Sequence, residues 1–208
     1  LASAYISTRR LSFAEYLSLL DEVWVQVNSY ASFAYSRYSS SLIDAWHSAI
    51  GKLSPEAFLF LGAISFFSSR AIPLAEIGVL PGTRLYECIC ELEEFSLLYR
   101  DASALSIFPQ SLTQEILFRT ADPDVLTDAK REAIGLIHEF CLGDPTIEEN
   151  LLAWRAMLPH IESLLSKVDG VEYPVEVSFI QNQVGIFLMN THHYLDASKF
   201  LNLSVELR

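Results

Sequence analysis

The sequence predicts a mainly α-helical fold with one small β-hairpin, and three observations carry that prediction. Half of the residues, 51%, are apolar, which is enough to bury a substantial core. Helix start and stop signals recur along the chain, and apolar residues between them fall at steps of three and four. Only residues 97–107 read instead as two short strands around a turn.

The elements follow in order. Ser12 and Glu15 form a capping box for a helix over residues 13–21. Residues 29–41, rich in Ser and Tyr, read as a connector. A helix over residues 42–52 places Leu42, Trp46, Ala49 and Ile50 on one face. Ser54-Pro55-Glu56 is a helix start, with Ser as cap and Pro at the first helical position. The apolar run that follows, residues 57–67, reads as a buried core helix. Ile72-Pro73 breaks the pattern ahead of a short helix at 74–79. Pro81-Gly82 is a turn. Thr83 opens a helix with Leu85, Cys88, Ile89, Leu92 and Phe95 in one stripe. The hairpin comes next, packed on the helices at 55–67 and 83–95, because a lone hairpin is marginal in water.

Pro109 begins a helix reaching about Arg119. A helix over 126–141 carries Ala133, Ile134, Ile137, Phe140 and Cys141 on one face. Thr146 and Glu149 form a second capping box. Behind it, Ile147, Leu151, Trp154, Leu158, Ile161, Leu165 and Val168 make a long buried stripe that Asp169-Gly170 ends. Two helices complete the chain, at 175–189 and 194–207, with a tight turn at 190–193.

Composition excludes several functions. The formal charge is -12, from 26 acidic and 14 basic residues. Nucleic acid and anionic membrane surfaces both require clustered Lys and Arg, so neither is an expected partner. No apolar run approaches the roughly 20 residues that span a bilayer. Three cysteines, Cys88, Cys90 and Cys141, make no disulfide framework and suit a reducing compartment. A phosphate-binding loop needs a Gly-rich segment followed by Lys and Ser or Thr; the chain has none, so no catalytic residue is assigned. It starts at Leu1 and ends at Arg208 within a helical pattern, so it is expected to be a segment of a longer protein.

The remaining chemistry-bearing residues have plain readings. Cys88 and Cys90 sit two apart on a helix, so their thiols diverge, and no second ligand pair supports zinc. His192-His193 fills a solvated turn. Asn202-Leu203-Ser204 fits the glycosylation triplet but lies within a helix. Glu87, Glu91, Glu93 and Glu94 line one helix. Such carboxylates can serve acid–base chemistry, but a solvated polar face is the better reading. Four Glu against Arg84 alone on this helix would repel phosphate.

Three segments, in this order, resemble the regulatory half of a STAND-class ATPase of the NB-ARC kind found in fungal immune-receptor-like proteins. Residues 1–7 and 11–20 are similar to the end of the first helical ARC subdomain. Asp44-Ala45-Trp46, Leu53-Ser54-Pro55-Glu56-Ala57, the Ile72-Pro73 break and the hairpin are similar to the family's winged-helix domain. Val184-Gly185, Tyr194 and Ala197 resemble a tetratricopeptide repeat, in which small residues let two helices pack closely and Tyr194 would plug their junction. Leu188 stands where the repeat usually has an aromatic.

The resemblance implies four parts: the end of a helical ARC-like subdomain with its connector at 1–40, a winged-helix-like domain at 41–121, a helical linker at 122–170, and a first repeat at 171–208. It implies a regulatory segment that holds a resting state and links an upstream nucleotide-binding domain to a repeat sensor. ADP or ATP would belong to the parent protein, with no cofactor or metal in this segment. Partners would be proteins, with oligomerisation possible on activation, and the location would be cytoplasmic. The alternative is a non-switching scaffold with a structural winged helix. Where the family's strand ends in a His that senses the nucleotide, this chain has Phe108, and a phenyl ring cannot donate to phosphate. The repeat's ligand-facing positions fall on Asn182, Ile186, Met189 and Asn190. One repeat cannot bury its face alone, so more are expected after Arg208.

Overall fold

The computed structural model describes Ser12, Ala14, Glu15, Trp46, Ala49, Ile50 and residues 51–207, except Ala102 and Ala104. The chain divides into two compact units, Leu1–Lys52 and Leu53–Arg208. In the first, the expected capping box is present: the Ser12 amide donates to Glu15 at 2.7 Å, and the Glu15 amide donates to the Ser12 hydroxyl at 3.2 Å. Ala14, Glu15, Trp46, Ala49 and Ile50 are helical. The rest of the helix at 13–21, the connector at 29–41, Leu42 and the ARC-like opening lie outside the described residues.

The second unit begins at helix α1, Pro55–Ser65, where the Ser54 hydroxyl accepts from the Ala57 amide and Pro55 takes the first turn. Seven of its eleven residues are buried, as a helix apolar on most of its faces requires. Strand β1, Ile72–Pro73, and a 3₁₀ turn, Ala75–Ile77, lead to helix α2, Arg84–Glu94. Helix α2 is capped by the Thr83 hydroxyl and buries only Cys88, Ile89 and Leu92. It closes through Ser96, at φ 56°, a left-handed position that a glycine would take at less cost.

Strands β2, Leu98–Arg100, and β3, Ser106–Pro109, form the expected hairpin. The second strand starts two residues later than the alternation suggests. The Asp101 carboxylate accepts from the amides of Leu105 and Ser106 and from the Ser103 hydroxyl, which holds a wider turn. Pro109 therefore ends a strand, paired with Leu98, instead of opening a helix.

The hairpin is not the whole sheet. Ile72 pairs with Ile107 and Pro73 with Ser106, giving three antiparallel strands in the order β1-β3-β2. The expectation of a two-stranded hairpin alone is corrected here: two residues are too few to show alternation, and only their tertiary partner makes them a strand. β2 packs on α2, and β1 packs on a later helix, α5.

Helices α3, Ser111–Thr120, and α4, Pro123–Cys141, follow, the latter capped by Asp122. α4 crosses α1 closely: a Cβ added at Gly62 would lie 2.7 Å from the Cβ of Ala129. The second capping box does not form. Thr146 turns its hydroxyl and amide to Asp144, and a 3₁₀ turn, Glu148–Asn150, precedes α5, Leu151–Leu165. Trp154, Met157, His160, Ile161 and Leu164 are buried on α5. The expected stripe is thus rotated: Ile147 is exposed, and Leu151, Leu158, Leu165 and Val168 are only half-buried. Trp154 stacks on Phe187 at 5.5 Å and meets Phe140 at 4.9 Å.

The chain ends in an antiparallel pair, α6, Pro174–Asn190, and α7, Tyr194–Glu206. His192, at φ 66°, makes the turn between them. The pair is close because Gly185 has no side chain: a Cβ there would lie 2.6 Å from Leu201 Cγ and 3.4 Å from the Ala197 carbonyl. Among the described residues, no helix is long and apolar enough to cross a membrane.

Candidate functional site

Phe108 lies on β3 opposite Tyr99. Strand alternation turns both away from Ile107, Leu98 and Pro109, which are buried. Their rings stack at 4.7 Å and 2°. Tyr99 is 54% exposed and Phe108 half-buried, so the pair is an aromatic surface with no hydrogen-bond donor from position 108.

The acidic helix α2 is more structured than a solvated face. Glu87 and Glu94 are exposed. Glu91 accepts from both the amide and the hydroxyl of Ser54, each at 2.6 Å. One carboxylate on α2 therefore holds the cap residue of α1. Glu93 pairs with Arg100 at 2.7 Å. That guanidinium also donates to the Tyr86 hydroxyl at 3.0 Å and lies over the Tyr86 ring at 4.8 Å. The four carboxylates are thus split between two solvated and two structural groups. The sequence names Glu91 only as one of four acids on a polar face; its capping role is not legible there, because its partner is 37 residues away.

On α6, Asn182 and Ile186 are half-buried and Met189 is 49% exposed. Asn190 is exposed and points its amide at the Pro145 carbonyl, at a long 3.5 Å. The four residues share one side of the helix, as their spacing requires. Tyr194 does not plug the helix junction. It is 61% exposed, with His192 Nδ1 2.7 Å from its hydroxyl; Gly185 and Leu201 already fill the space between the helices. His193 turns to Thr191, so the two histidines diverge. Cys88 is buried and Cys90 exposed, and all three cysteines are free. Burial raises the pKa of both Cys88 and Cys141. Asn202 is an exposed residue within α7. Among the described residues, no group of three His, Cys, Asp or Glu side chains could hold a metal ion.

His160 was not singled out from the sequence, and the structure puts it at the centre. It is 0% exposed. Nε2 lies 2.9 Å from the Ala71 carbonyl and Nδ1 lies 3.1 Å from the Ser68 hydroxyl. A carbonyl only accepts, so Nε2 carries the proton and Nδ1 accepts from Ser68. The imidazole thereby ties α5 to the chain entering β1. Burial lowers its pKa, and the Ala71 contact offsets that only in part. The available signal was its place between Met157 and Leu164, in register with the buried face.

Comparison with protein-family models, with curated proteins and with solved structures finds no match to this chain.

Proposed function

We propose that this chain is a regulatory and protein-interaction segment of a STAND-type nucleotide-dependent switch. In this reading, residues 41–121 form a winged-helix-type domain and residues 171–208 the first hairpin of a tetratricopeptide-type array. One observation carries it: helix, strand, short helix, helix and a two-stranded wing follow in sequence, with sheet order β1-β3-β2. A helical pair seamed at Gly185 then follows in the same compact unit.

Two features favour protein partners over nucleic acid. Helix α2, where a winged-helix DNA reader would contact phosphate, presents Glu87 and Glu94 to solvent. The chain as a whole carries a charge of -12, which repels a polyanion. Phe108 stacks on Tyr99, so any nucleotide signal would pass through packing of this sheet face instead of a donor to phosphate. That same feature favours the second reading, a scaffold whose winged helix is structural.

The test uses the full-length parent protein loaded with ADP or ATP. Hydrogen exchange over residues 84–109 should differ between the two nucleotides, because the wing and α2 would face the nucleotide domain in the resting state. A parent that binds neither nucleotide, or identical exchange in both states, overturns the switch reading and leaves the scaffold.

A further inference from the structure

Helices α1, α3 and α4 and the end of α5 enclose an open cleft of about 510 Å³, lined by Phe66, Phe118, Leu126, Thr127, Lys130 and Lys167 among others. That volume falls within the usual range for small-ligand sites, roughly 300–1,000 Å³. Its wall is aromatic: Phe66 and Phe118 meet edge to face at 5.0 Å. Its charge runs against that of the molecule. The chain has four lysines and a net charge of -12, yet two of those lysines line this one cleft.

Neither ammonium is used up. Lys167 Nζ donates to the Ser65 carbonyl at 3.2 Å and the Phe66 carbonyl at 3.1 Å, and lies 5.2 Å from the Phe118 ring centre. An ammonium has three N–H donors, so one remains. Lys130 Nζ donates to Glu172 at 2.6 Å, which leaves two. Lys130 is 19% and Glu172 52% exposed, so solvent screens the pair only in part and a ligand carboxylate would share Lys130 with Glu172. Lys167 is exposed, so its free donor is open to a ligand entering from solvent.

We propose that this cleft is a binding site for a small organic anion: a carboxylate on a short apolar body, with the headgroup between Lys130 and Lys167 and the body against Phe66, Phe118 and Leu126. The occupant would bridge α1, α3, α4 and the end of α5, so its binding should stiffen their junction.

The experiment titrates the chain with octanoate, octanol and octylamine, reading backbone amide shifts and dissociation constants. Octanoate should move the amides of Leu126, Thr127 and Lys130 and bind at least about tenfold more tightly than octanol, with octylamine weaker still. Thr127→Trp fills the cleft from an exposed position and should abolish binding while the melting temperature holds. Lys130→Gln should bring octanoate close to octanol. Equal affinity for octanol and octanoate, no amide shift in the cleft, or unchanged binding in Thr127→Trp would each overturn the proposal.

Discussion

His160 has no solvent contact, and both of its ring nitrogens are engaged. Its depressed pKa makes it an acid-sensitive point, and the sign follows from linkage. The folded state resists protonation while the unfolded state takes up a proton near pH 6.5, so the His160 contribution to stability is full above that value. It is lost as pH falls from about 6.5 toward the lowered folded pKa. Urea midpoints should therefore drop between pH 7.5 and 5, and His160→Gln should flatten that drop; equal slopes in both proteins would contradict the assignment. Glu91 makes a second test at this scale. Glu91→Ala leaves the Ser54 amide and hydroxyl without their acceptor and should cost about 1–3 kcal/mol in chemical denaturation. A change below about 0.5 kcal/mol would place Glu91 with ordinary surface positions.

Helices α6 and α7 approach through one missing Cβ. Gly185→Val drives a branched side chain into Leu201 Cγ and should destabilise by about 1–3 kcal/mol through overpacking. Gly135, exposed within α4, meets nothing within 4 Å of an added Cβ, so Gly135→Ala should stabilise by about 0.5–1 kcal/mol through helix propensity alone. The two variants share a chemistry, and opposite signs in a urea series are expected. The face of α6 that carries Asn182 and Asn190 is a separate question. Replacing Asn182 and Asn190 together with Ala should move the melting temperature little, since Asn190 makes only a long contact and neither residue is buried. If this face holds an extended peptide, as the repeat reading proposes, the double variant weakens a partner without that thermal cost. Unfolding of the double variant would make the face structural.

At the scale of the molecule, charge sets the expectations. A chain at -12, with no Gly-rich phosphate loop and Phe108 stacked on Tyr99, should show no micromolar ATP binding in calorimetry and no binding of duplex DNA in fluorescence anisotropy at physiological salt. Tight ATP binding by this chain would require a phosphate site that its sequence does not supply. Among the described residues, Lys130 and Lys167 line one cleft with Phe66, Phe118 and Leu126.

Caps and apolar periodicity sit within a few residues of each other, so the sequence by itself determined the helical class, the starts at Ser54 and Thr83, the hairpin, the spacing of Gly185 and Ala197, and the divergence of Cys88 and Cys90. What needed distant partners was decided by the tertiary structure. Ile72–Pro73 became a strand only against β3, half-buried Glu91 meets the cap 37 residues before it, and α5 buries His160 where Ala71 and Ser68 meet its ring nitrogens. Tyr194 stayed outside because the α6–α7 seam was already filled by Leu201. A local pattern states which residues can be buried, but the side chain that meets them is chosen by packing and hydrogen-bond satisfaction between elements far apart in the chain.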